Sequence, residues 1–196
     1  MTERPRVGIS RCLLGDKVRY DGTHKRDGSL IEALSGDVEW VPVCPEVEVG
    51  MGTPREPIHL VAMSDGVRSG EECVTLLGVG TGEDWTDRMT QWTRQRVQEL
   101  QALNLSGFIL KARSPSCGVR GVPIRPPSLR FGAAGNPGST GRGLFAQALL
   151  DAMPELPIAD EEELGDSSAR ERFRVRILMY RNRESAHEPS GENAEG

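Results

Sequence analysis

Short apolar runs alternate with longer amphipathic stretches along this chain of 196 residues. The short runs, bounded by glycine, proline or polar residues, predict β-strands at 7–10, 38–43, 58–63, 72–77, 107–110 and 156–159. Apolar residues at helical spacing predict helices at 30–34, 86–104, 144–153 and 167–183. Because strands and helices alternate, we predict an α/β fold of three layers, a mostly parallel sheet with flanking helices.

Three segments depart from the alternation. The runs at 58–63 and 72–77 predict a β-hairpin that turns at Asp65 and Gly66. Residues 119–141 are rich in glycine, proline, arginine and serine, which predicts a long loop. From Glu184 the chain is polar and lacks aromatic residues, which predicts a disordered tail at 184–196. We therefore predict a single domain at 1–183 that includes the arginine-rich helix at its end.

Composition narrows the class of protein. Apolar residues make up 37% of the chain and charged residues 27%, with a net charge of −5, so no general attraction to nucleic acid is expected. The arginines of the last helix leave a local contact with RNA phosphates open. The N-terminus has no apolar stretch typical of a secretory signal, and no apolar run is long enough to span a membrane. We expect a cytoplasmic protein, where cysteines are usually thiols or metal ligands.

Cysteines follow three of the predicted strands. Cys12, Cys44 and Cys117 each lie shortly after a strand, whereas Cys73 lies inside one and is expected to be a buried apolar side chain. Parallel strands end at one edge of a sheet, and open α/β sheets bind ligands at that C-terminal edge. No CxxC pair is present, so spacing alone is a weak metal signal and three buried thiols remain the alternative. Three converging thiolates would suit an iron–sulfur cluster with one open iron.

Polar residues accompany these cysteines. Glu46 is either a solvated loop carboxylate or a general acid or base beside the thiols. Ser114 and Ser116 are the hydroxyl residues of the loop before Cys117, where turn hydrogen bonds are their simplest role. The cations nearby either neutralise thiolates or are ordinary surface groups, and they are Arg11, Lys111 and Arg113.

Five short segments of the chain resemble the thiouracil desulfidase (TudS-like) family, in the same order. They are 10–15 (SRCLLG), 18–22 (VRYDG), 41–46 (VPVCPE), 53–55 (TPR) and 114–118 (SPSCG). The resemblance extends over most of residues 7–158. It implies a [4Fe-4S] cluster bound by three cysteines, which match Cys12, Cys44 and Cys117, while Cys73 matches no motif position.

The same resemblance implies roles for the polar residues. Glu46 and Ser114 match the acid–base and positioning residues of the family. Neighbouring polar side chains are expected to bind the substrate, and they are Ser10, Arg11, Tyr20, Lys111 and Ser116.

The activity that the resemblance implies is removal of sulfur from thiolated uracil without net redox change. The expected substrates are thiouracil and 4-thiouridine, with thiolated tRNA as a further candidate that would make the protein a tRNA-modification enzyme. The C–S bond is hydrolysed and hydrosulfide leaves. An open cluster iron is a suitable Lewis acid for a soft thiocarbonyl sulfur, and Glu46 would move the proton as water adds. The sequence does not set an oligomeric state, and no membrane partner is expected.

Two features depart from the short members of the family. Residues 119–141 stand where those members have a compact segment, and residues 141–145 and the helix from Arg170 resemble longer members that suit thiolated tRNA or its nucleosides. Two other interpretations stay open. One is an RNA-binding or partner-docking module without catalysis, and the other is a cluster-free enzyme with Cys117 as nucleophile and Glu46 as base.

Overall fold

A computed structural model describes residues 3–68, 71–129 and 138–187, with the side chains of 3–63, 74–129 and 138–183. Its strands are β1 (Arg6–Ser10), β2 (Glu39–Val43), β3 (Ile58–Arg68), β4 (Glu71–Gly78), β5 (Gly107–Leu110), β6 (Val122–Arg125), β7 (Ser139–Gly141) and β8 (Ile158–Asp160). Its helices are α1 (Arg11–Leu14), α2 (Gly28–Leu34), α3 (Pro45–Glu48), α4 (Thr86–Ala102), α5 (Leu144–Ala152) and α6 (Ser167–His187), with a 3-10 turn at Pro127–Leu129.

A parallel sheet, in the order β2-β1-β5-β8, forms the centre of the fold. Gly8 of β1 lies opposite Phe108 of β5. A Cβ atom at position 8 would overlap the Phe108 ring, so glycine leaves the space that the ring occupies. Because all the strands of this sheet run in the same direction, their C-terminal ends share one edge.

Helices cover both faces of the parallel sheet. Phe108 and Leu110 pack on one face, in a core with α4 and α5, and Ile109 packs on the other, with α2 and α6. This alternation is what a central strand produces when it is buried on both sides. The predicted three-layer α/β architecture is confirmed.

A second, mixed sheet was not predicted. It has the order β4-β3-β6-β7, and β6 and β7 come from residues 119–141, which the sequence predicted as a loop. In β6, Val122 and Ile124 are buried while Pro123 is exposed. That alternation is only four residues long and lies among glycines and prolines, so it gives little periodic signal. The prediction was wrong for these strands, and residues 130–137 lie outside the described part of the chain.

The predicted β-hairpin is present, but its turn is not at Asp65 and Gly66. Both residues belong to β3, which continues to Arg68, and Arg68 pairs with Glu71. The register of the β3–β4 pair shifts between Ala62 and Val67. Asp65 and Gly66 lie in this irregular part of the strand. Residues 69–70, between the two strands, lie outside the described residues.

The last helix is longer than predicted. α6 extends to His187, past the predicted end at residue 183, and residues 188–196 of the predicted tail lie outside the described residues. Phe173 and Ile177 bury one side of α6 against the parallel sheet. Within the described ranges, no helix combines the length and the apolar character that crossing a membrane requires.

Candidate functional site

One cavity opens at the C-terminal edge of the parallel sheet. Its volume is about 420 Å³, and Cys12, Cys44 and Cys117 all line it. Cys12 lies in α1 directly after β1, Cys44 directly follows β2, and Cys117 lies in the loop that follows β5. The common direction of the strands therefore gathers cysteines that are far apart in the sequence.

The three thiols influence one another electrostatically. Burial raises the pKa of Cys12 to about 11, and the neighbouring Cys44 adds to this rise. Burial likewise raises the pKa of Cys44, with Glu46 acting in the same direction. Cys117 is the most buried, and burial, with Glu46 and the other two thiols, raises its pKa well above the usual range. Without a bound cation these groups are neutral thiols at pH 7.

The three thiols that line the cavity are the kind of donor that an iron–sulfur cluster takes. Across the described residues, no three His, Cys, Asp or Glu side chains are arranged to hold one metal ion. In a [4Fe-4S] cluster each thiolate binds a different iron, so its ligands stand further apart than those of one ion. Three thiols around one cavity, each disfavoured as an isolated anion, fit a group that supplies positive charge.

Cys44 is held by the helix that it begins. It is the N-cap of α3, with Pro45 at the first helical position, where proline is favoured. The Glu48 carboxylate accepts a hydrogen bond of 2.8 Å from the backbone N–H of Cys44. Arg96 of α4 lies 3.3 Å from the other Glu48 oxygen and holds that carboxylate in turn. This chain of contacts fixes the backbone from which the Cys44 thiol projects.

Glu46 is bound on both of its oxygens. Arg55 donates to Oε2 through Nε, at 3.0 Å, and through Nη2. Ser116 donates its hydroxyl to Oε1 at 3.2 Å. Glu46 still lines the cavity, with 16% of its side chain exposed. It is therefore a fixed carboxylate at the cavity wall, not a freely solvated loop side chain.

The loop at residues 111–118 is shaped by Ser114. Its Oγ accepts hydrogen bonds from the backbone N–H groups of Ser116, at 3.2 Å, and Cys117, at 3.1 Å. These are the turn hydrogen bonds expected of a serine in such a loop. They fix the oxygen at the cavity wall, where the hydroxyl hydrogen is the group it can offer to a ligand.

An acidic turn after β8 holds the same loop from the other side. Glu161 pairs with Lys111 and accepts the backbone N–H of Ala112 at 2.7 Å. Glu162 pairs with Arg113, and Glu163 lies 3.1 Å from Arg120. The cations of the loop are therefore compensated by carboxylates that lie outside the cavity lining.

The expected substrate-binding residues do not all reach the cavity. Ser10 lines it and accepts the backbone N–H of Lys111 at 3.0 Å. Arg11 lines it too but pairs with Asp16 at 2.8 Å. Tyr20 lies at the wall, 40% exposed, and Lys111 also lines the cavity. Ser116 is fully buried and is not part of the lining, and its hydroxyl instead contacts Glu46.

Two residues that hold the site in place were missed by sequence reasoning. Arg55 belongs to the TPR segment, but nothing in its spacing from Glu46 reveals an ion pair. Glu161 directly follows β8, so the rule that site residues follow parallel strands could have found it. The prediction that Cys73 is a buried apolar side chain falls on a residue whose side chain is not described, although its backbone lies in β4 of the mixed sheet.

Comparison with known proteins identifies the family of this chain. The family model described as 2-thiouracil desulfurase matches residues 7–161. The uncharacterized protein YbbK of Bacillus subtilis (strain 168) is 32% identical over 111 residues, which are 56% of this chain and 71% of that protein. The solved structure of a [4Fe-4S]-dependent thiouracil desulfidase, TudS, is similar with a TM-score of 0.62 and 27% identity, over 90% of this chain and 99% of that one. The chain belongs to the 2-thiouracil desulfurase family.

Proposed function

We propose that this protein is a [4Fe-4S]-dependent desulfidase that hydrolyses the C–S bond of thiolated uracil compounds without net redox change. The observation that carries the proposal is the convergence of Cys12, Cys44, Cys117 and Glu46 on one cavity. The family membership and the similarity to the thiouracil desulfidase TudS support it.

We propose Cys12, Cys44 and Cys117 as the residues that hold the cluster. Among the described cysteine side chains, these three line the cavity, so one iron would have no cysteine ligand from the protein. When bound, such a cluster supplies a Lewis acid for a soft thiocarbonyl sulfur. Loading it requires the three thiols to lose their protons, so we expect loading to release protons and to favour mildly basic conditions.

The proton steps fall to Glu46 in this proposal. Its carboxylate is fixed at the cavity wall by Arg55 and Ser116, so it takes a proton from the water that attacks the ring carbon. The water oxygen becomes the new carbonyl oxygen, and sulfur leaves as hydrosulfide. Thiocarbonyl and water thus give carbonyl, hydrosulfide and one proton, which Glu46 passes on to solvent, and no electron donor or acceptor is consumed.

Ser114 and the other wall residues orient the substrate in this proposal. The Ser114 oxygen is fixed by two backbone hydrogen bonds, and its hydroxyl hydrogen is offered to the substrate or the water. Ser10, Arg11, Tyr20 and Lys111 line the same cavity and supply further polar contacts to a uracil ring.

The size of the cavity favours a small substrate. A volume of about 420 Å³ is within the range of small-molecule sites, so thiouracil and 4-thiouridine are the first substrates to test. A thiolated tRNA remains a further candidate, because Tyr20 in the cavity wall is 40% exposed and this side of the cavity therefore reaches solvent.

The cluster-free alternative is disfavoured by the environment of Cys117. A nucleophilic cysteine needs a lowered thiol pKa, whereas burial raises the pKa of Cys117 well above its ordinary value. A buried, protonated thiol is a poor nucleophile at neutral pH.

An anaerobic assay tests the proposal. The protein is purified or reconstituted without oxygen, its iron and acid-labile sulfide are counted, and thiouracil and 4-thiouridine are followed by their absorbance. We expect a brown protein that converts at least one of them to uracil or uridine. A cluster-loaded protein that leaves both unchanged would refute the proposal, and salt-dependent RNA binding without turnover would favour the RNA-binding alternative.

A further inference from the structure

We infer that Arg55 is a positioning residue that sets the orientation of Glu46, an inference that rests on the proposed function of Glu46 in proton transfer. Arg55 lies between α3 and β3, in a segment to which neither the cysteines nor the serines of the site belong. Its side chain lines the cavity but is only 6% exposed, so its charge is withdrawn from bulk water.

The guanidinium of Arg55 holds one side of the Glu46 carboxylate. Nε and Nη2 both donate to the same oxygen, Oε2, with Nε at 3.0 Å. The opposite oxygen, Oε1, accepts from the hydroxyl of Ser116, which is fully buried. Two partners on separate segments thus fix both the position of the carboxylate and its rotation about the last side-chain bond.

The rest of Arg55 is bound to a different wall of the cavity. Nη1 donates to the carbonyl oxygens of Val18, at 3.0 Å, and Gly52, at 2.8 Å. The backbone N–H of Arg55 donates to the carbonyl oxygen of Tyr20 at 2.9 Å. Arg55 therefore joins the carboxylate of Glu46 to the backbone at residues 18–20, which carries the exposed wall residue Tyr20.

Only arginine can make this set of contacts at once. A guanidinium presents a planar fork of five N–H donors, whereas the lysine ammonium is a compact charge on a flexible stem. All the guanidinium nitrogens of Arg55 are already engaged by Glu46 and by carbonyl groups. Its bonds to Glu46 are therefore the route by which Arg55 acts on the reaction in this inference.

Loss of the contact between Arg55 and Glu46 is expected to slow turnover more than it weakens substrate binding. Proton transfer requires the carboxylate within hydrogen-bond reach of the proton, and a displacement of about 1 Å costs on the order of 10²-fold in rate. We expect Arg55→Gln to lower kcat by about 10²-fold while KM changes by less than about 3-fold. Arg55→Lys is expected to recover only part of the loss, because it keeps the charge and loses the fork.

A double-variant cycle separates positioning from general damage. Arg55→Gln, Glu46→Gln and the double variant are compared with the wild type in anaerobic assays on protein with equal iron content. We expect the double variant to be no slower than Glu46→Gln alone, because Arg55 acts only through Glu46. Arg88→Ala is the matched control, since Arg88 forms an exposed ion pair with Glu83, and its kcat is expected to equal that of the wild type.

A second readout does not depend on turnover. Urea unfolding is measured on the cluster-free wild type, Arg55→Gln, Glu46→Gln and the double variant. It reports whether the contact between Arg55 and Glu46 couples the two residues in stability. We expect each single variant to unfold at lower urea, with a combined shift in the double variant that is smaller than the sum.

The outcomes distinguish the inference from the proposed function. A wild-type protein that loads iron but does not desulfurate counts against the proposed function, whatever the unfolding cycle shows. Given an active wild type, three results would overturn the inference. The first is an Arg55→Gln variant with the kcat of the wild type. The second is a double variant in which the kcat losses of Arg55→Gln and Glu46→Gln multiply. The third is a loss of iron from Arg55→Gln that accounts for its slower turnover.

Discussion

Gly143 lies directly against the backbone of Ser116. A Cβ atom at position 143 would overlap the Ser116 carbonyl group and stand 2.8 Å from the backbone nitrogen of Cys117. The carbonyl oxygen of Ser116 accepts the backbone N–H groups of Phe145, at 3.0 Å, and Ala146, at 3.2 Å. The first turn of α5 thus donates its free N–H groups to the loop that carries Cys117. The helix and the loop can come this close because residue 143 has no side chain.

Replacing this glycine is expected to disturb the site from outside the cavity. In Gly143→Ala the new methyl group meets fixed backbone, so α5 and the loop must separate, at a cost of about 1–3 kcal/mol in the free energy of unfolding. Urea unfolding measures the cost, and the iron content after reconstitution is expected to fall because Cys117 moves.

The matched control is Gly36→Ala, since a Cβ atom there meets nothing within 4 Å. That variant is expected to stay within about 0.5 kcal/mol of the wild type. Equal stability and equal iron content in the Gly143 and Gly36 variants would show that the close contact does not support the loop.

The proposed ligand role of the cysteines predicts how much iron each cysteine variant holds. Replacing Cys12, Cys44 or Cys117 by Ala is expected to remove the brown colour and most of the iron, since a cluster with two protein ligands is poorly held. Cys73→Ala is the control and is expected to keep both, because Cys73 lies in the mixed sheet. Iron and sulfide counts on anaerobically reconstituted variants show which cysteines the cluster requires. Full iron in a Cys117→Ala protein would remove that residue from the ligand set.

Glu46 is predicted to act in turnover and not in cluster binding. Glu46→Gln keeps the size of the side chain and removes its basicity, so kcat is expected to fall by about 10²–10⁴-fold with the iron content unchanged. Steady-state kinetics with an iron count on the same samples measure both. If the variant instead loses iron in proportion to activity, Glu46 supports the cluster and the proton-transfer role fails.

The raised thiol pKa values predict how the cluster-free protein responds to alkali. Burial raises the pKa of Cys12 to about 11 from an ordinary 9.0, so above pH 9 the unfolded chain loses its proton first. The stability linked to this thiol is therefore complete below pH 9 and is lost as the pH rises through about 11. One pKa unit corresponds to about 1.4 kcal/mol, so the loss from Cys12 is up to about 3 kcal/mol.

Urea unfolding of the cluster-free protein between pH 8 and pH 11 measures this loss. Cys12→Ala is expected to show a shallower decline than the wild type over the same range, because Cys44 and Cys117 contribute in the same direction and remain. Parallel curves for the two proteins would contradict the raised pKa of Cys12.

The parallel sheet was predictable because its strands are marked by composition. β1, β2 and β5 are apolar runs that end in polar, chemistry-bearing segments, and α4 carries apolar residues at helical spacing. Since parallel strands share a C-terminal edge, the convergence of Cys12 and Cys44 follows from the order of the elements. The mixed sheet was not predictable in the same way. β7 is three residues long, has no apolar pattern of its own and is defined by its pairing with β6.

The contacts that fix the site were harder to predict than its chemistry. Nothing in the sequence shows that Arg55 spans from Glu46 to Val18, because the pair is made by the path of the loop between α3 and β3. The same holds for Ser116, which sequence reasoning assigned to the substrate and which contacts Glu46 instead. Residue types indicate which chemistry is available, whereas the fold determines which polar group faces which.

In the proposed reaction, water oxygen replaces sulfur on the uracil ring at this site, and no electrons are consumed. The direct measurement is mass spectrometry of the product after iron-loaded protein acts on thiouracil in water enriched in oxygen-18, without reductant or oxidant, beside a control of uracil alone. We predict uracil that carries one labelled oxygen, with one hydrosulfide for each thiouracil consumed. Unchanged thiouracil, or turnover that occurs only after an electron donor is added, would contradict it.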